Sequence, residues 1–367
     1  MRLLLVSPLP PAPSGVADFS AGLAAALRNR MEVDAVEAPS RDALAAAGRR
    51  LYQIGNNGLH CAAYEAALEF PGVVELHDAV LHHFFLGRLN REQYIEEMVY
   101  NEGEWARSEA EGLWDRRSHA EVDEAYFKRP LLRRIVVSAE AVIVHNPAAY
   151  QAARQAGGAE KRIVEIPHFI DPPAAVEDAE RGDARRDLGV SDEEVLVSCF
   201  GFQRPTKRLR TVLRVAARLG APVRILIAGR FGSADYEASL TSLMEEAGAI
   251  RVPWVPEAEF RRLAAATDVC VNLRYPAAGE TSGIAMRLMA MARPTILTAG
   301  PETSRFPDSA AVQIDSGEAE EAMLAESLKL LVEHSELRLA MGEAARNHLL
   351  ENHGIERVLP AYLDVLT

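Results

Sequence analysis

Three stretches of the sequence carry side chains of the kind that bind phosphate or move protons. The first, Gly201-Phe202-Gln203-Arg204-Pro205-Thr206-Lys207-Arg208, follows an apolar run and places three cations within five residues at the expected start of a helix. Cations and the free N–H groups of a helix N-terminus act together on a phosphate, so Arg204, Lys207 and Arg208 read as an anion site. The second is Arg274-Tyr275-Pro276-Ala277-Ala278-Gly279-Glu280, followed by Thr281-Ser282-Gly283 opening another helix. The amides near Ser282, Gly283 and Ile284 could cradle a diphosphate, with Glu280 placed to accept hydrogen bonds from sugar hydroxyls. The same turn also reads as a helix cap, and the two roles can coexist. Between these stretches, Arg251–Pro256 (RVPWVP) offers Trp254 and Val255 as an apolar wall for a base.

The third group lies in the first half of the chain. A proline-rich loop ends at Ser14-Gly15 just before a helix. Ser14 either caps that helix or, with Gly15 allowing close approach to the backbone, meets an anionic or hydroxyl-rich ligand. No GxGxxG is found there, which counts against a dinucleotide site. Asn56-Asn57 follow the run Leu51–Ile54, and His77-Asp78 follow Val73–Leu76. Polar residues just past the ends of neighbouring parallel strands are candidates to position a hydroxyl or transfer a proton. For His77 and Asp78 that reading stands beside a purely structural one. No acidic partner at ligand spacing turns the histidines into a metal site, and no metal is expected.

The elements that must position these residues are legible as alternating strands and helices. Strands are expected at Arg2–Val6, Glu32–Val36, Leu51–Ile54, Val73–Leu76, Ala141–Val144 and Ile163–Ile166. A second set is expected at Val195–Phe200, Val223–Ala228, Arg251–Val252, Val269–Leu273, Thr295–Leu297 and Val312–Ile314. Many are continuous apolar runs, as in parallel strands buried on both faces. Helical patterns such as Ala17–Leu27, Arg208–Leu219 and Glu257–Ala266 lie between them, so the fold class is α/β. Two doubly wound, Rossmann-like domains facing across a cleft are expected: 1–172 and 173–350, joined near Pro167–Gly189, with a C-terminal helix, 351–367, returning to the first. Residues 84–135 lack a strand and read as a helical insertion, either a cover over the sheet or a substrate lid.

Composition bounds the function. With 40 Lys and Arg against 53 Asp and Glu in 367 residues, the net charge of -13 argues against nucleic acid as a partner. Cys61, Cys199 and Cys270 lack zinc or disulfide spacing. No apolar run spans a bilayer, and the LLLV start followed by prolines reads as a first strand rather than a signal peptide, which points to the cytoplasm. Phe127–Ile135 (FKRPLLRRI) is either a solvated helix face or a weak contact with an anionic membrane surface or lipid-linked acceptor.

In their order, these motifs resemble those of GT-B glycosyltransferases, in particular the retaining family 4 group. The resemblance also takes in AVIVHNPA (141–148), Ile166-Pro167-His168-Phe169-Ile170-Asp171, Asp268 and AMARPT (290–295), and so covers nearly the whole chain. It implies a nucleoside-diphosphate sugar as donor substrate, no bound cofactor or metal, a hydroxyl acceptor, and a second domain that holds the nucleotide. Lys207 matches the family's diphosphate lysine, Thr281–Gly283 its phosphate-binding amides and His77 its sugar-side histidine. Two positions depart from the pattern: Phe202 stands where an arginine is usual, and Arg287 where a ribose-binding glutamate is usual. The rival expectations are an epimerase or hydrolase of the same fold, and a non-catalytic nucleotide-sugar or glycan-binding protein.

Overall fold

A computed structural model describes residues 2–171 and 178–367. Pro172, Pro173 and Glu177 of the expected linker lie outside the described residues. The chain forms two compact units. The first comprises Met1–Asp171, Pro276–Thr281 and His353–Thr367; the second comprises Pro172–Tyr275 and Ser282–Asn352. The loop Pro276–Thr281, read from the sequence as part of 173–350, thus clusters with the first unit.

Unit 1 is built on β1 (Arg2–Val6), β2 (Glu32–Val36), β3 (Arg49–Ile54), β4 (Val73–Leu76), β5 (Ala141–Val144) and β6 (Ile163–Glu165), in the order β2-β1-β3-β4-β5-β6. All its ladders are parallel. Successive β1 residues serve opposite cores, which is why the run is apolar throughout. Leu3 and Leu5 join Phe19, Leu23 and the C-terminal helix Ile355–Leu366 on one face. Leu4 and Val6 join the other face, together with Tyr94, Met98, Leu113 and Tyr126 of the insertion. The insertion, built mainly from helices His82–Leu86, Arg91–Glu102, Arg107–Asp115 and Arg133–Ser138, therefore covers the sheet. Within FKRPLLRRI, Leu131, Leu132 and Ile135 point into that core, while Arg129 pairs with Glu109 and Arg134 with Glu97. The apolar half of the motif is thus spent on folding.

Unit 2 carries β7 (Val195–Phe200), β8 (Val223–Ala228), β9 (Ile250–Val252), β10 (Val269–Asn272), β11 (Thr295–Thr298) and β12 (Ala311–Ile314), all parallel. The order is β12-β11-β10-β7-β8-β9, so chain progression reverses between β7 and β10. That reversal sends the helices that follow these two strands to opposite faces of the sheet and opens a crevice at the strands' carboxyl ends, where open α/β sheets bind ligands. The helix Leu209–Leu219 packs Val212, Leu213 and Val215 on one face, and Glu257–Ala266 packs Phe260 and Leu263 on the other. Among the described residues, no helix is long and apolar enough to cross a membrane.

Candidate active site

In unit 2 the loops after β7 and β10 meet at the reversal point. The amide of Tyr275 donates to the carbonyl of Thr206 at 2.7 Å and ties one loop to the other. Gly201, at φ +89°, follows β7; a Cβ there would stand 2.9 Å from the Lys207 amine, so glycine makes room for the lysine. Lys207 Nζ donates to the carbonyl of Phe200. Burial, then the positive charges of Arg274 and Arg204, push its pKa down to about 7. Arg274 reaches Ser282 Oγ at 3.3 Å, and its own amide donates to Thr298 Oγ1 at 2.9 Å. Ser282 caps the helix Gly283–Ala290 by accepting from Ala285 N. Lys207, Arg274 and the first amides of that helix thus form one electropositive corner at the carboxyl ends of β7 and β10.

In unit 1 the strand-end residues sit over a buried polar chain. His77 Nε2 meets Gln53 Oε1, and Gln53 Nε2 donates to Glu75 Oε2 at 2.6 Å. The hydroxyl of Tyr362, from the C-terminal helix, donates to Glu75 Oε1. His145 Nδ1 donates to the carbonyl of Ile166, and its Nε2 lies 3.3 Å from Glu75 Oε1, outside hydrogen-bond geometry. Phe19 packs edge-on against His77 and His145 and at a tilt against His168. Burial, followed by the neighbouring His145 and His168, holds the His77 pKa well below the ordinary histidine value, so the ring is neutral. The loop Pro276–Thr281 is fastened within this unit. Ala79 N donates to Ala278 O at 2.7 Å, and Asn146 Nδ2 donates to Gly279 O at 2.9 Å and Thr281 Oγ1 at 3.0 Å. Glu280 accepts from the amide of Ala278.

Residues 204–364 match the family described as Glycosyl transferase-like. No curated protein matches the sequence. The whole fold is similar to Anabaena HepE, solved with UDP and glucose, at TM-score 0.72 and 15% identity over 100% of this chain and 99% of that one. It is also similar to sucrose-phosphate synthase from Thermosynechococcus elongatus, at TM-score 0.70 and 14% identity over 99% and 97%. WaaG, a glycosyltransferase involved in lipopolysaccharide biosynthesis, matches at TM-score 0.66 and 13% identity over 100% of each chain. The chain has the GT-B fold of these structures, and the family match lies within residues 204–364.

Within this GT-B fold the candidate residues divide by unit. Lys207, Arg204, Phe202, Trp254, Val255, Ser282, Gly283 and Arg287 lie in unit 2; Ser14, Gly15, Asn56, Asn57, His77, Asp78, Glu280 and Thr281 lie in unit 1. Several have local partners that the sequence does not reveal. Arg208, grouped with the phosphate cations on sequence, instead closes on the carboxylate of Glu320. The helix starts one residue later than expected, at Leu209, because Arg208 adopts φ +57° after the short turn Pro205–Lys207. Arg287 pairs with Glu257 through Nη2 and lies 3.7 Å over the Phe260 ring. Asn56 accepts from Phe84 N and contacts His83, Asn57 caps the turn Gly58–His60, and Asp78 accepts from Asn56 N. These three shape the loop, and Ser14 caps its helix by accepting from Val16 N. Phe202 is 50% exposed with Arg204 stacked on it, and Trp254 is 60% exposed beside Arg230, so both rings remain available.

Three residues of this GT-B protein's site were not singled out from the sequence. Arg274 is the second residue after β10, and its place beside the reversal point appears only once strand order is known. Gln53 and Glu75 occupy facing positions on β3 and β4. Among the described residues, Glu75, His77 and His145 form the cluster whose ligand atoms lie close enough for a cation, all within 4.8 Å. Gln53 and Tyr362 engage the Glu75 oxygens, and Gln53 engages His77 Nε2, while His145 Nε2 makes no hydrogen bond.

Proposed function

We propose that the protein is a retaining glycosyltransferase that moves a sugar from a nucleoside-diphosphate donor to a hydroxyl acceptor. The observation carrying this reading is the electropositive corner of unit 2, where Lys207, Arg274 and the amides at Gly283 and Ile284 converge at the sheet's reversal point. Negative charge builds on the β-phosphate as the glycosidic bond to it breaks. Cations and oriented amides in a partly dry site stabilise that charge without a metal ion. Lys207 is the residue assigned to the leaving oxygen, with Arg204 and Arg274 supporting it. Exposed Trp254, beside Val255, is assigned to the base. In unit 1, Glu280 and Asp78 are assigned to sugar or acceptor hydroxyls, and neutral His77 to a hydroxyl near the anomeric carbon. UDP bound to HepE, as its crystal structures describe, supports a uridine nucleotide as the first donor to try. Retention gives an α-linkage from an α-linked donor.

The test is turnover with Lys207→Ala. The variant should lose roughly 2–4 kcal/mol of transition-state stabilisation, seen mainly in kcat, as when an oxyanion donor is removed. The anomeric configuration of the wild-type product, read by NMR, tests retention. Unchanged kcat in Lys207→Ala, or an inverted product, would sink the respective assignment.

A further inference from the structure

We propose that Glu75 is a positioning residue: acting through Gln53, it fixes which ring nitrogen His77 offers to the substrate. The inference rests on the reading of His77 as a residue of the sugar or acceptor side. It follows from donor and acceptor bookkeeping along one buried chain. Glu75 Oε2 accepts from Gln53 Nε2 at 2.6 Å, so the Gln53 group facing it is its NH₂. Its carbonyl oxygen must then face His77, and the nitrogen that meets it, Nε2, must carry the proton. In the neutral ring this leaves Nδ1 as the acceptor, suited to a hydroxyl hydrogen of a sugar or acceptor.

Packing alone does not account for Glu75. It is fully buried on the same face of β4 as Val73, and Gln53 holds the facing position on β3, beyond Leu51. Leu51 and Val73 show that aliphatic residues fill this face well. A buried carboxylate is costly unless donors surround it. Here Gln53 and Tyr362 donate to it, and Tyr362 comes from the C-terminal helix Ile355–Leu366. The helix therefore contributes to the chain that orients His77.

The proposal is tested by reading the His77 ring nitrogens with ¹⁵N NMR in the full-length protein, alongside steady-state kinetics. Wild type should show a single tautomer with the proton on Nε2. In Glu75→Gln the new amide can donate toward Gln53, whose own amide can then turn over, so a substantial Nδ1–H population should appear. The kcat should fall on the order of 10- to 100-fold with little change in donor KM, as for loss of a partner that orients a ligating histidine. The exchanged double variant Gln53→Glu/Glu75→Gln again sets an acceptor-only group against His77, and it should restore the single Nε2–H tautomer. Gln53→Met severs the chain independently and should release the tautomer as well, which keeps the test decisive if Glu75→Gln fails to fold. A wild-type ring protonated on Nδ1, or an unchanged tautomer in the folded single variants, would overturn the proposal. Tautomers that behave as stated in a protein that turns over no donor would instead refute the functional reading.

Discussion

Arg208 closes on Glu320, its Nε meeting both carboxylate oxygens at 2.8 and 3.0 Å, and Thr211 Oγ1 adds a third bond at 2.9 Å. Glu320 is only 2% exposed, so its charge depends on these donors. The pair anchors the start of helix Leu209–Leu219 to helix Glu320–Glu333, directly behind the Lys207 turn. Arg208→Ala should therefore act on stability, costing about 2–3 kcal/mol because a buried carboxylate is left short of a partner. Arg204→Ala, at an exposed position stacked on Phe202, should stay within about 0.5 kcal/mol of wild type while weakening nucleotide binding. Chemical denaturation and nucleotide titration of both variants separate the two roles. Equal stability of the two would contradict the assignment.

Gly229 sets the spacing of the loop that carries Lys207. It adopts φ +141°, and a Cβ there would lie 2.1 Å from the carbonyl oxygen of Gly201. Backbone blocks backbone, so no rotamer change relieves the clash. Gly229→Ala should cost about 3 kcal/mol or more through strain and forced displacement, lowering the denaturant midpoint. A near-neutral effect would mean that Gly229 and the Gly201 carbonyl are not in backbone contact.

His82 makes the fold sensitive to acid. Its Nδ1 donates to the carbonyl of Arg129, and its Nε2 accepts from the hydroxyl of Tyr94, so the neutral ring is satisfied at both ends. Burial holds its pKa at about 4, below the ordinary 6.5. Between those values the unfolded chain binds a proton that the folded chain does not, so stability falls as pH drops from about 6.5 toward 4. The full effect is worth up to about 3 kcal/mol. His168, held at about 3 chiefly by burial, acts in the same direction. His82→Gln should lose part of this slope while costing about 1–2 kcal/mol at pH 7 for the altered hydrogen bonds. Melting curves at pH 5 and 7 provide the comparison.

The sequence alone locates the described strands of both sheets, most of them because a parallel strand buried on two faces needs a largely apolar run, as in RLLLV and VLVSCF. It also finds the turns at Lys207 and Ser282, where cations or capping residues follow such runs. Partners across long sequence separation escape it. Glu320 is 112 residues from Arg208, and nothing local distinguishes an arginine awaiting phosphate from one closed on a carboxylate. Gln53 and Glu75 look like polar interruptions in apolar strands. Their meaning depends on the register that sets β3 against β4 and on a tyrosine 287 residues further along from Glu75. A readable hint was there: Gln53 precedes the end of its strand by one residue, and so does Glu75.

Lys207 gives the most direct link between electrostatics and the proposed chemistry. In the unliganded protein its pKa lies at about 7, lowered from 10.5 by burial and by Arg274 and Arg204. The unfolded chain keeps the proton that the folded chain gives up between those values, so the fold gains stability as pH rises from about 7 toward 10.5. A diphosphate beside the amine reverses the balance, since a nearby anion favours the ammonium form. Binding at pH 8 should then take up close to one proton, about 0.9 for a group with a pKa near 7. UDP affinity should fall as pH rises above about 7, the direction opposite to that of fold stability. Calorimetry of UDP binding in two buffers of different ionisation enthalpy measures the uptake directly. Lys207→Arg, whose guanidinium stays charged throughout, should bind without it. Proton release, or equal uptake in wild type and Lys207→Arg, would place the diphosphate away from this amine.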